Sequence, residues 1–250
     1  MPFETAPTYI FDLHCDTLDR LALHKSFPDA GFMEQDAAIP DARMSSLASN
    51  DCHIALDRMA KAQYAWCQCS AAFIPDHMPA DWGWQVFCAV RDFLQSQLAE
   101  HAALIEQVHD ARDIRGIVDS GKCAGMFTVE GGSFIEGSLD RLHAAADAGV
   151  KMLTLTWNGK NAIASGNVTT DGLSTFGAQV VRAMEQRRMV VDVSHLNDTS
   201  FWDVVKASSR PFAAAHSNSR AGCGHPRNLT DDMFRALVDR GGIAGFNFCR

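Results

Sequence analysis

The chain lacks several features whose absence narrows what it can be. No uninterrupted apolar run approaches the length of a membrane span. The opening residues, Met-Pro-Phe-Glu-Thr-Ala-Pro, carry neither the basic segment nor the apolar segment of a secretory signal, so none is expected. Basic residues are outnumbered, 22 against 30 acidic, and the net charge of −8 comes with no clustered Lys/Arg stripe. Neither a nucleic acid nor a membrane is therefore an expected partner. No Cys-x-x-Cys pair occurs among the eight cysteines, Cys15, Cys52, Cys67, Cys69, Cys88, Cys123, Cys223 and Cys249. Several of them lie inside apolar, strand-like runs, and the expectation is reduced, mostly buried thiols in a cytoplasmic protein. No internal repeat, low-complexity tract or linker interrupts the 250 residues, which read as one domain, 1–250.

What is present is alternation. Short β-rich runs cover 9–15, 65–74, 123–129, 151–157, 189–195, 212–216 and 241–248. A polar, loop-like stretch follows the first run to about Asp57. Between the later runs the apolar spacing predicts helices over 82–108, 110–120, 138–148, 174–187, about 199–208 and about 230–240. Asp198 or Thr199 is placed to cap the fifth of these and Thr230 the sixth, while Gly149 suits a helix stop. Such alternation predicts a parallel sheet with crossover helices, either a doubly wound open sheet or a closed (β/α)8 TIM barrel. Seven strands repeating at roughly the length of a βα unit suit the barrel better, with the last β/α unit missing.

In these folds the chemistry sits at the carboxyl ends of strands. The first run ends in His14 and Asp16, two residues apart, so that strand alternation places an imidazole and a carboxylate side by side and turns Cys15 to the other face. The third run ends in Glu130, the fifth in His195 and the sixth in His216. A lone histidine after a strand is usually structural. Here the remaining seven histidines fall in loops or helices, whereas these three share strand ends with two acids. Five ligands are too many for one tetrahedral zinc with an open position, and about right for two ions sharing a carboxylate.

Segments spread along the chain sharpen this: Asp12-Leu-His-Cys-Asp16, His53-Ile-Ala-Leu-Asp-Arg-Met59, Gly125-Met-Phe-Thr-Val-Glu-Gly-Gly132, Leu153-Thr-Leu-Thr-Trp-Asn158, Gly172-Leu-Ser-Thr-Phe-Gly177, Val191-Asp-Val-Ser-His195, Ala215-His-Ser217 and Arg227-Asn228. In their order and spacing the chain resembles the membrane dipeptidase (renal dipeptidase) family of zinc metallopeptidases, in its bacterial form, within the amidohydrolase-like barrels. The resemblance implies two zinc ions. His14, Asp16 and Glu130 would hold one, and Glu130, His195 and His216 the other, with Glu130 bridging. It implies that Arg227 receives the C-terminal carboxylate of the substrate, a task suited to a guanidinium fork. The implied reaction is hydrolysis of L,L and L,D dipeptides by a hydroxide bridging the two ions.

Two departures from the family pattern stand out. Many relatives carry a substrate-binding histidine in the segment that here reads Leu153-Thr-Leu-Thr-Trp-Asn-Gly-Lys-Asn161; Asn158 or Asn161 is the expected replacement, as an amide donor to the carbonyl oxygen. The family's eighth strand carries an aspartate that moves a proton, and the chain ends at Arg250 before it, so a truncated barrel is expected. An acid of that kind contributes about 10²–10⁴ in rate, and the exposed edge strands would be covered in a homo-oligomer. Two other functions compete. A lactonase or phosphotriesterase of the same superfamily would carry His-x-His on its first strand and a lysine at the carboxyl end of its fourth; this chain has His-x-Asp, and Lys151 lies at the opposite end. A catalytically impaired metal- or peptide-binding fragment is the third reading.

Overall fold

The computed structural model describes residues 9–27, 43–62 and 64–248. They form two compact units, one comprising residues up to Ala71 together with Cys88–Phe127, the other Ala72–Phe87 together with residues from Thr128. In chain order the first unit contains β1 (Tyr9–Asp12), α1 (Thr17–Ser26), α2 (Leu56–Lys61), most of β2 (Ala65–Phe73), the second half of α3 (Ala80–Glu100), β3 (Ile105–Gln107), α4 (Ala111–Asp119) and the start of β4 (Cys123–Glu130). β1 runs parallel to β2, with Tyr9 opposite Ala65 and Asp12 opposite Gln68. β3 runs parallel to β4, with Ile105 opposite Cys123. Cys67, Val108, Ile117, Val118 and Ala124 pack as this unit's apolar cluster. Full burial of a Val or Ile side chain is worth about 1.5–3 kcal/mol. On β1, by contrast, Tyr9 and Phe11 are exposed.

Three expectations change in this unit. β1 ends at Asp12, so His14 and Asp16 lie beyond the strand and not within it. The stretch read as loop contains α1, which buries Leu18, Leu21 and Ala22 along one face and carries Asp19 in its first turn and His24 and Lys25 in its last. Those charges complement the helix dipole, but Asp16 at the N-cap makes no side-chain capping bond, so the usual start signal is missing. Finally, the helix expected to reach residue 108 stops at Glu100, and Ile105–Gln107 is a strand. Leu104, Ile105 and Val108 keep helical spacing and no Gly or Pro interrupts them; pairing with β4 overrides the local pattern.

The second unit continues with α5 (Leu139–Asp147), β5 (Val150–Thr154), α6 (Thr175–Gln186), β6 (Val190–Asp192), α7 (Asp198–Ala207), β7 (Ala213–Ala214), α8 (Asp231–Asp239) and β8 (Ile243–Ala244). β5 and β6, β6 and β7, and β7 and β8 pair in parallel. Their connections are helical, as parallel crossovers require. Side chains of Ser174, Asn197 and Thr230 accept backbone N–H groups and cap α6, α7 and α8. Asn197 thus takes the role expected of Asp198 or Thr199, because its backbone is extended while theirs is already helical. Trp84, Phe87 and Phe134 stack in series, with successive ring centroids 5.2 Å apart. The α/β alternation and parallel pairing are as expected in both units. Among the described residues no helix is long and apolar enough to cross a membrane.

Candidate metal centre

Glu130 is the last residue of β4. Its carbonyl accepts the Ile74 N–H at 2.8 Å, and the chain then turns sharply through Gly131 at φ +95°. A Cβ on Gly131 would lie 2.0 Å from the Ile74 carbonyl oxygen, so only glycine fits. This turn leaves the Glu130 side chain at the strand's end, 6% exposed.

His195 and His216 follow β6 and β7. Both are set by the carboxylate of Asp192, which is fully buried. Its Oδ1 accepts the backbone N–H groups of Ser194 at 3.0 Å and Ala215 at 2.8 Å, and its Oδ2 accepts the Thr154 hydroxyl at 2.6 Å. One buried anion therefore fixes the residue preceding each histidine. Ser194 Oγ in turn accepts the His216 N–H at 3.1 Å. His195 itself has φ +70°, a conformation uncommon outside glycine that gathers at functional sites.

Three side-chain atoms meet here. Glu130 Oε1 lies 2.8 Å from His195 Nε2 and 3.1 Å from His216 Nε2, and the two imidazole nitrogens are 2.9 Å apart. The other ring nitrogen of His195, Nδ1, faces Asn158 Oδ1 at 2.9 Å. Burial pushes His195 below the usual imidazole range against the pull of Glu130, and the Arg227 guanidinium pushes the same way. A neutral His195 whose Nδ1–H is donated to Asn158 turns an Nε2 lone pair toward Glu130 and His216. A single proton on His216 Nε2 aligns with only one of the other two atoms, whereas a cation among them satisfies all three. Two neutral imidazoles and a carboxylate are a donor set for a divalent ion such as zinc. The residues present fit a metal.

In the first unit, Asp16 turns its Oδ1 to His14 Nε2 at 3.1 Å, so the strand-end pair remains a pair although the strand stops short of it. Cys15 between them is buried and points its Sγ at Thr17 Oγ1. In the second unit, Arg227 is buried. It donates to Ser217 Oγ at 2.8 Å and to the His216 carbonyl at 2.7 Å. Asn161 is occupied in shaping its own loop. Its Nδ2 donates to the Leu155 carbonyl while its Oδ1 accepts the N–H groups of Ile163 and Ala164. Asn158 meets the site through its amide oxygen, a role absent from the sequence expectation. Asp192 was also missed there. Its only signal is a charged residue within the apolar run Val190-Val-Asp-Val193.

The model of the membrane dipeptidase family, peptidase family M19, matches residues 5–250. The chain belongs to this family. An uncharacterised protein of the pqqA 5′ region of Klebsiella pneumoniae is 33% identical over 178 residues, 68% of this chain and 64% of that protein. Dipeptidase 3 of Macaca fascicularis is 30% identical over 178 residues, 65% of this chain and 36% of its own length. The matches thus span less than two thirds of these relatives. A metallopeptidase of Rhodobacter sphaeroides, solved with a phosphinate mimic of the dipeptide L-Ala-D-Ala, shares the fold with a TM-score of 0.82. The match covers 97% of this chain and 74% of that one at 23% identity.

Proposed function

We propose that this family member is a zinc-dependent dipeptidase acting on free L,L and L,D dipeptides. The observation that carries the proposal is the convergence of Glu130 Oε1, His195 Nε2 and His216 Nε2 within 3.1 Å of one another. In this reading they hold one zinc. His14 and Asp16, with Glu130 as the shared carboxylate, hold a second, following the family resemblance. Divalent ions so held supply a nucleophile at neutral pH and polarise a carbonyl.

The chain's own residues bind and orient. The Arg227 fork receives the substrate's terminal carboxylate, and its bonds to Ser217 and His216 fix it in place. The L-Ala-D-Ala mimic bound by the Rhodobacter sphaeroides relative supports extending the substrate range to a C-terminal D-residue. The family resemblance extends the parallel strands and helical crossovers to a barrel of the (β/α)8 type.

The test is turnover of a panel of L,L and L,D dipeptides by the zinc-loaded chain. Activity should disappear on chelation and return with zinc. Glu130→Gln keeps the side chain's shape and removes its charge; it should abolish turnover and lower the zinc content. Full activity in that variant, or turnover surviving complete chelation, overturns the proposal. Zinc binding without turnover of any dipeptide would leave a metal- or peptide-binding protein.

A further inference from the structure

We infer that Asn158, braced by Asn167, sets the tautomer and orientation of His195 through its amide oxygen, making Asn158 a positioning residue for the metal. The inference rests on the metal centre proposed above. Both asparagines belong to the loop that follows β5. Asn158 Oδ1 faces His195 Nδ1 at 2.9 Å, and the same oxygen accepts Asn167 Nδ2 at 2.6 Å. The loop also grips the His195 backbone, since the Asn167 N–H donates to the His195 carbonyl at 2.9 Å. Ring and main chain of one residue, at φ +70°, are thus held from a single segment. Conformations of that kind cost about 1–3 kcal/mol and persist where the surroundings impose them.

The loop is itself tied down. Asp76 accepts the Thr156 hydroxyl at 2.7 Å and the N–H groups of Trp157 at 2.9 Å and Gly159 at 2.8 Å, on either side of Asn158. Val168 N–H closes the fold by donating to the Asn158 carbonyl at 3.0 Å. Gly166 permits this doubling back, because a Cβ there would lie 2.2 Å from the Trp157 carbonyl oxygen. A side-chain amide oxygen on such a support does a defined job. It accepts Nδ1–H, so the Nε2 lone pair is the one presented beside Glu130, and it does so without adding a negative charge. Without an acceptor there, both tautomers are populated and the ring is less constrained. Asn161 offers no substitute, since its side chain is engaged within the loop.

The experiment measures zinc affinity by competition with a chromogenic chelator for the full chain, Asn158→Leu and Asn158→Asp. Alongside, long-range ¹H–¹⁵N spectra of the zinc-free, histidine-labelled chain report which His195 nitrogen carries the proton. Asn158→Leu should bind zinc about 10- to 100-fold more weakly. Asn158→Asp, whose carboxylate still accepts both N–H groups, should recover most of that loss. The spectrum should place the proton on Nδ1. Equal affinity of Asn158→Leu and wild type, failure of a folded Asn158→Asp to recover affinity, or a proton on Nε2 each overturns the inference while leaving the metal centre intact. A wild-type chain that binds no zinc removes the centre and the inference together. If Asn158→Leu does not fold, the Asp variant and the spectrum decide.

Discussion

Asp192 Oδ1 accepts the backbone N–H of Ala215 at 2.8 Å, joining the end of β6 to the residue before His216. The same carboxylate holds Ser194, the residue before His195, and the Thr154 hydroxyl on β5. Asp192→Ala strands two backbone N–H groups and a hydroxyl in the interior. At about 1–3 kcal/mol for each buried unsatisfied group, the expected loss is roughly 3–9 kcal/mol in denaturant unfolding at pH 7. Asp192→Asn keeps the Oδ1 acceptor, and Thr154 can turn to accept from the amide, so it should cost about 1 kcal/mol. An Asn variant as damaged as the Ala variant would show that the tie depends on charge and not on its acceptor geometry.

Arg227 makes a prediction about substrate ends. Removing the guanidinium in Arg227→Ala should raise KM for free dipeptides about 10- to 100-fold, the range for a lost charge-assisted contact. Dipeptides with an amidated C-terminus should be affected far less. Zinc content must be measured in parallel, because Arg227 also holds the His216 carbonyl. Equal losses on free and blocked substrates would remove Arg227 as the carboxylate receptor.

Glu185 on α6 makes the acid limb of stability specific. Burial alone would raise its carboxyl. Hydrogen bonds from the Ser208 and Ser209 hydroxyls and the Arg210 and Ser209 amides outweigh that and hold it below the ordinary value of 4.5. Because the folded pKa is depressed, the stabilisation is present above the unfolded value and fades as pH falls through the folded one. Glu185→Gln should therefore be less stable than wild type by about 1–2 kcal/mol at pH 7, where charged acceptors contribute most. Urea titrations below pH 4.5 should show that gap closing. A gap that stays constant down to pH 3 would contradict the assignment.

The thiols should separate by burial. Burial pushes Cys15 up to about 11, and Cys67 and Cys123 up to about 12. Cys223 is exposed. Because the thiolate is the reactive form, a brief maleimide pulse at pH 7.5 followed by peptide mapping should label Cys223 and spare those three. Denaturant should make all four reactive. Rapid native labelling of Cys67 or Cys123 would contradict the packing of the first unit.

Much of the candidate site is legible in the chain before it folds. Glu130, His195 and His216 each follow an apolar run, and polar groups at the carboxyl ends of parallel strands are where such folds place their chemistry. Three parts were not legible. α1 lacks a capping signal, and β3 keeps helical spacing until a partner strand claims it. The role of Asn158 depends on which atom of its amide faces which nitrogen of His195, a matter of packing that no spacing encodes.

By itself the sequence determined the alternation of strands and helices and the residue types waiting at the strand ends, because periodicity and turn chemistry act over a few neighbours. Tertiary structure alone decided which atoms meet. Glu130 and His216 are 86 positions apart, and His195 and His216 are 21 apart. Their side chains converge because the Gly131 N–H ties the end of β4 to the Thr154 carbonyl on β5, parallel pairing aligns the ends of β5, β6 and β7, and the buried Asp192 carboxylate locks those ends together.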